Sequence, residues 1–385
     1  MLKESERVMF VRILGNLTTG KLCAVMLLVM VPIGLSVSGS DVAFSQSGAG
    51  SHAFMYTSID LNPNEFTMTE ALGVSGGQQV GIASKTSQWE WEHALLWHSG
   101  AASAVDLLPS RENAEATAIC GTQQVGYGDG FGYRGVHRHA LLWHGSTASV
   151  VDLHPQGFDD SEAHGISARD QVGFGIPSTG GSHALLWHNS AASAVDLHPH
   201  GFTNSEADGT SGEEQVGSGK VVGGGGVSHA LMWRGSATNV IDLNPRGFYT
   251  SEAHGLSSGQ QVGYGSGPAT GGDDHALLWR GSASSVVDLH PRKFLGSIAY
   301  ATNGEEQVGE GDGHALLWRG SAASVVNLQT FLPPGFTESV AFGIDAAGDI
   351  VGVASTGHLG PSHAILWKRN VPRPDTSRAR NASGC

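Results

Sequence analysis

Cysteine is nearly missing: three residues in 385, Cys23, Cys120 and Cys385, are too few and too scattered for a disulfide framework. Cys120 stands at a repeat position held elsewhere by Ser75, Ser167, Ser211 and Ser257, so it reads as a small buried residue. Positive charge is scarce too. The 21 Lys and Arg against 35 Asp and Glu leave a net charge of −14, which disfavours a nucleic-acid partner, since such binding depends on neutralising phosphates. The apolar run Leu22–Val37 is shorter than the ~20 residues a membrane span needs. Catalytic motifs are absent as well: no His-Glu-x-x-His, no complete Walker loop and no sialidase-type Asp box occurs. Gly-x-Ser-x-Gly appears at Gly73–Gly77 and Gly255–Gly259, but no helix follows, so the strand-to-helix elbow that exposes a nucleophile is missing.

The apolar run follows basic residues as far as Lys21 and precedes small ones, which is a secretory signal pattern. Residues 1–45 are therefore expected to be removed, with Ala43-Phe44-Ser45 offering small side chains to the peptidase. That segment carries four basic residues and three acids, so its loss takes −14 to −15. The mature chain is expected outside the cell, without stable membrane insertion. The alternatives are a periplasmic location or an uncleaved N-terminal anchor. Residues 368–385, with Lys368, Arg369, Arg373, Arg378 and Arg380, read as a disordered basic tail.

What the chain has in excess is glycine, 56 residues without a collagen-like period, and repetition. His-Ala followed by three large residues recurs at His52, His93, His139, His183, His229, His275, His314 and His363, at intervals of 39 to 49 residues. A period of that length marks an array of similar units, and one array filling residues 52–367 argues for a single closed domain, expected over residues 46–367. Each unit resolves into four short strands, as in Ser161–Ser167, Gln171–Gly175, His183–Trp187 and Ala194–Leu197. The third is apolar on both faces, as suits a strand between two neighbouring layers. The fourth ends in His-Pro or Asn-Pro in five copies, and proline belongs at an edge. The first carries Ala163 and Gly165, read as one small-residue face where strands converge. Radial packing of four-stranded sheets with small residues innermost is a β-propeller.

The blade count follows from the first strand. Its Glu recurs at Glu70, Glu115, Glu162, Glu206 and Glu252, with Ile298 and Val340 as degenerate copies, which makes seven against eight His-Ala strands. The surplus copy, His52–Leu61, is too compact to contain a turn. It is expected to supply the outer strand of the last blade and so remove an exposed edge. The fold class is thus all-β, a seven-bladed β-propeller closed by its N-terminal strand.

The unit resembles that of the bacterial extracellular repeat proteins named for a His-Ala-Phe motif. His52-Ala53-Phe54 carries that motif literally, and Glu115-Ala116 to Ile119, Gln124-Val125-Gly126 and His139 to Trp143 carry the rest. The resemblance covers about four fifths of the chain. It implies secretion and a repeat fold, and it brings no reaction, cofactor or catalytic residue with it. One departure is His-Pro-x-Gly-Phe where the family more often has a Gly-rich turn.

Histidines that recur in every unit, with His154, His198 and His290 before the prolines, read as structural, each held by a fixed hydrogen bond because buried polar groups must be paired. The recurring Glu reads as a cap for backbone amides near the channel. Positions that do not repeat are more informative. The residue before the small Gly or Ala of the first strand is Leu72, Thr117, His164, Asp208, His254, Tyr300 and Phe342 in turn. His164, Asp208 and His254 are thus a candidate metal trio by ligand type, although no metal or cofactor is required by the reading.

Loop lengths point to a binding face. The spacings Glu to Gln and Trp to Asp or Asn are nine residues in six units each, whereas the spacing from the second strand to the next His varies from 7 to 15. Variation confined to one face is where binding loops sit on a rigid scaffold. Trp89, Trp91, Phe131, Tyr133, Arg134 and His137 lie on those loops in the first two blades, and exposed aromatics suit sugar rings or a protein partner. The expected function is a monomeric, non-catalytic extracellular module that binds a glycan or a surface protein. The alternative is a polysaccharide lyase or hydrolase with its site on the same face.

Overall fold

The computed structural model describes residues 55–86, 92–108, 113–131, 137–357 and 360–370. Among them lie 28 strands in seven four-stranded antiparallel sheets, and no helix is long and apolar enough to cross a membrane. The third blade is representative: β10 (Phe158–Ile166), β11 (Gln171–Pro177), β12 (His183–Trp187) and β13 (Val195–Asp196) pair in order. First strands of neighbouring blades meet around the axis. A Cβ on Gly165 would lie 2.6 Å from the Asp208 carbonyl oxygen, and one on Gly255 would lie 2.7 Å from that of Tyr300.

The third strand is buried on both faces, as its pattern predicts. Leu185 and Trp187 pack with Val125 and Leu142 of the second blade, while Ala184 and Leu186 pack with Leu231 and Trp233 of the fourth. The seven tryptophans at this position, Trp97 to Trp367, are fully buried, and truncating one to alanine is expected to cost about 3–5 kcal/mol. The Gly of Gln-Val-Gly is dictated by its partner strand. A Cβ on Gly173 would sit 1.9 Å from the Glu162 carbonyl oxygen, and the other six blades are the same within 0.1 Å.

Three expectations need correction. Ala163 and Gly165 do not share a face, because a β-bulge at His164 makes Ala163 oppose Gly173 and Gly165 oppose Val172. The outer strand is two residues long, since Ala191–Ser193 turn as a 3-10 helix before it. Cys120 is buried as expected, and it is also disulfide-bonded.

The last sheet runs β1 (Tyr56–Asp60), β28 (Ser362–Arg369), β27 (Ile350–Ser355), β26 (Glu338–Ile344). Tyr56 opposes Arg369 and Asp60 opposes Ile365, so the N-terminal strand closes the ring as the blade count requires. Residues 52–54 of that expected strand lie outside the described residues. Its partner β28 continues two residues past Trp367. Lys368 pairs with the buried Asp349, and Arg369 Nη2 lies 2.6 Å from Glu306 Oε2 and 2.9 Å from the Tyr56 hydroxyl. These two cations therefore fasten the closure, and the other residues of the expected tail, from 371 on, lie outside the described ones.

Candidate functional site

The outer rim accounts for nine of the 19 histidines. In six blades the recurring histidine of the third strand gives its Nδ1 to the outer-strand aspartate: His93 to Asp106, His139 to Asp152, His183 to Asp196, His229 to Asp242, His275 to Asp288 and His363 to Asp60, at 2.7–2.9 Å. The other carboxylate oxygen accepts the backbone N–H two residues on, as at His154 and His198. His154 then stacks on His139 at 3.9 Å and reaches Ser161 Oγ of the next blade at 2.9 Å. Asn244 does the same work in the fourth blade, accepting from Ser251 Oγ and donating to His229 Nε2. These imidazoles are joints, as expected.

The channel wall differs from blade to blade. A bulge recurs in all seven first strands, at Leu72, Thr117, His164, Asp208, His254, Tyr300 and Phe342. Several of them reach the neighbouring blade. The Thr117 hydroxyl donates to the Ala163 carbonyl at 2.8 Å, His164 Nδ1 meets Asp208 Oδ1 at 3.1 Å, and the Tyr300 ring lies 5.5 Å from His254 and 5.4 Å from Phe342. One arc is charged and the other aromatic.

The charged arc is built from the bulge residues and the recurring Glu. His164 Nε2 reaches Glu162 Oε2 at 3.4 Å, so an imidazolium donates to Glu162 and Asp208 at once. Arg138, from β8 (His137–Trp143) of the preceding blade, donates to Glu162 at 2.5 Å and to Asp129 at 3.1 Å, and its guanidinium lies 4.6 Å from the centre of the Tyr127 ring. Burial works against charge at His164, but the hydrogen bonds to Asp208 and Glu162 prevail and raise it to about 10. Burial likewise opposes the Glu162 carboxylate, yet His164 and Arg138 hold it below its usual range. Glu70, Glu115, Glu252 and Glu310 accept no hydrogen bond from a cation among the described residues. Burial lifts Glu70 to about 8, with Glu115 and Glu92 adding repulsion, and lifts Glu115, Glu252 and Glu310 to about 7. The recurring Glu is therefore not a backbone cap: Glu115 accepts from the Tyr127 hydroxyl, Glu162 from Arg138 and Glu206 from Ser182 Oγ.

Of the expected metal trio, His164 and Asp208 meet but His254 does not join them. Its ring stacks on Tyr264 at 5.7 Å, and its Nδ1 has no hydrogen-bond partner among the described residues. No three metal-binding side chains converge among the described residues. Of the expected ligand loops, Trp89, Trp91, Tyr133 and Arg134 lie outside the described residues. Phe131 ends β7 (Gln123–Phe131), where its backbone opposes His137. His137 stands beside the charged arc, its Nδ1 3.5 Å from Asp160 Oδ1. The sequence reading passed over Arg138, Tyr127 and Glu310. Each breaks the repeat beside a recurring Glu or its equivalent, and that was the available signal.

No protein-family model and no curated protein sequence matches the chain. Among solved structures it is similar to the β-propeller domain of the Trilobed protease from Pyrococcus furiosus, with a TM-score of 0.54 and 10% identity over 80% of this chain and 99% of that one. It is also similar to a Mycobacterium tuberculosis puromycin-hydrolyzing peptidase, with a TM-score of 0.54 and 10% identity over 86% of this chain and 57% of that one. A puromycin hydrolase matches with a TM-score of 0.54 and 10% identity over 84% and 58%. The chain thus spans less than two thirds of either hydrolase. Likeness at this identity reaches the fold and stops there: the chain is a seven-bladed β-propeller.

Proposed function

We propose that the chain is a secreted, non-catalytic binding module of the His-Ala-Phe repeat type, which engages a glycan or a surface protein through the face carrying the connections from second to third strand. The observation that carries this reading is the contrast between the two faces. On the opposite face five blades repeat one 3-10 turn, and in each the serine Oγ accepts a backbone N–H from five residues back at 2.8 Å, as Ser149 does from His144. The proposed face carries connections of unequal length. It also exposes the large apolar side chains Val222, Tyr249 and Leu295, at 58%, 67% and 67%.

A glycan array and a surface-protein pull-down test the reading, with wild type beside Trp89→Ala/Trp91→Ala/Tyr133→Ala and Tyr249→Ala/Leu295→Ala. Loss of binding in a variant that melts like wild type supports it, and undiminished binding in both variants would sink it. The lyase or hydrolase alternative requires that the same preparation depolymerise polysaccharides, and none is expected to be cut. Secretion is tested separately: protein from the culture supernatant should begin near residue 46, whereas full-length chain found only in membranes would contradict cleavage.

A further inference from the structure

At three junctions a blade presents one residue to the recurring Glu of the next, from two positions before the alanine of its third strand. Arg138 reaches Glu162, Ser182 donates to Glu206 at 3.1 Å, and Ser228 hydrogen-bonds Glu252. One link sets the register each time. The alanine N–H donates to the hydroxyl beside that Glu, from Ala140 to Ser161, Ala184 to Ser205 and Ala230 to Ser251, at 3.0 Å. At the junction that closes the ring, Ala364 N donates to Thr69 Oγ1 at 2.8 Å, which aims Ser362 at Glu70 in the same way. Here the pairing is unmade. Ser362 is only 6% exposed, and among the described residues its Oγ has no partner and no side chain donates to Glu70. Glu115 and Glu92 add negative charge beside it, and Arg138, the cation that also faces Glu115, is committed to Glu162 and Asp129.

We propose that this junction between the last and first blades receives an organic cation, the guanidinium or ammonium group of an arginine or lysine side chain from a protein partner, held by Glu70 with Ser362 and Glu115. The neighbouring arc displays the mode of binding within the chain, where the Arg138 guanidinium bridges two carboxylates and stacks on Tyr127. A guanidinium offers five N–H donors in a fixed fork and so serves acceptors spread over several ångströms. A metal ion needs its ligands gathered more tightly than the described residues provide. The inference rests on the proposed binding role and names the chemistry of the ligand group.

The experiment is calorimetric titration of the full chain at pH 8.5, above the value of about 8 to which Glu70 is raised. The probes are a blocked Gly-Arg-Gly peptide, its citrulline analogue and free agmatine. The arginine peptide is expected to bind at least tenfold more tightly than the citrulline peptide. Glu70→Gln should abolish that preference and Ser362→Ala should weaken it about threefold, while Glu213→Gln, in an exposed turn on the opposite face, should leave it unchanged. Equal binding of arginine and citrulline, no binding of either, or an intact preference in Glu70→Gln would overturn the site. Tighter binding of agmatine than of the peptide would overturn the assignment to a protein side chain. Glu70→Gln removes a charge without changing shape, and a preserved melting curve confirms that the ring is intact. The loop variants above report on the face independently, so loss of the cation site alone is distinguishable from failure of the binding role.

Discussion

The rim and the channel wall are made by the same seven repeats, yet they obey opposite rules. At the rim six His–Asp pairs are almost superimposable, because every joint between strand three and strand four meets the same backbone groups. On the channel wall the same bulge is filled by Leu, Thr, His, Asp, His, Tyr and Phe in turn. The rim position meets the same partners in every copy, whereas the bulge residue meets a different set of neighbours in each blade, as His164 meets Glu162 and Asp208 while His254 meets Tyr264 and Tyr300. Recurrence therefore reports structure, and departure from recurrence reports where recognition has room to act.

The comparison breaks most completely if the ring is opened. A chain lacking residues 1–61 loses β1 and leaves the outer edge of β28 unpaired, and an uncovered edge recruits other chains. Its melting temperature is expected to drop by more than 10 °C with aggregation; an unchanged thermal scan would contradict the closure. Arg138→Ala is expected to cost less, about 2–3 kcal/mol, since it strips a nearly buried carboxylate of its guanidinium while leaving His164 in place. Adding Glu162→Gln should recover most of that loss. If the double variant is no more stable than the single one in urea unfolding, the charged arc is not coupled as described.

The rim was legible in the sequence because it is written many times, in recurring His, Trp and Asp, and setting the seven first-strand copies against the eight His-Ala copies gives both the blade count and the closing strand. The bulge was not legible, because an extra residue leaves no mark on an alternating pattern as short as Glu162 to Ile166, and small residues mask a change of face. The charged arc was half legible. His164 and Asp208 stood out as exceptions at one position, but Arg138 reaches Glu162 from a different blade and a different strand, and no local spacing encodes that meeting. His254 shows the converse, since its residue type suggested a ligand and its neighbours Tyr264 and Tyr300 made it part of an aromatic wall.

Acid sharpens the same contrast. His154, His198 and His290 are lowered by burial and then by the neighbouring His139, His183 and His275. The folded state therefore holds fewer protons here than the unfolded one, and the stability these groups lend is present above the ordinary value of 6.5 and lost as pH falls through the folded values. The carboxyls of the channel work the other way: Glu70, at about 8, binds a proton that the unfolded chain releases, so its contribution grows as pH falls from 8 towards 4.5. Replacing the three histidines by asparagine, as Asn62 and Asn244 already stand in two blades, leaves the carboxyls untouched. The variant is expected to be more stable than wild type at pH 5 by about 1 kcal/mol, allowing for solvent screening, relative to their difference at pH 8. Parallel pH profiles of the two proteins would show that the stacked imidazoles do not titrate against each other.

The smallest effect is expected where the rim itself lapses. In the sixth blade the outer-strand residue is Asn327, and His314 Nδ1 is buried without a partner among the described residues. Asn327 Oδ1 still accepts the Gln329 N–H at 2.9 Å, as the aspartates do two residues on in other blades, so the backbone is already in the rim geometry. Asn327→Asp keeps that acceptor and adds a second oxygen where the other six aspartates meet their histidines. The gain is expected to be about 0.5–1 kcal/mol, the range for a partly exposed charge-assisted hydrogen bond. Asp288→Asn in the fifth blade makes the reverse change and should cost about as much, because it unpairs His275 from its 2.8 Å contact. Urea midpoints of the two variants are expected to move in opposite directions by similar amounts. If Asp288→Asn destabilises while Asn327→Asp gives nothing, the sixth blade differs from the others in backbone placement, and the rim is less uniform than its six pairs suggest.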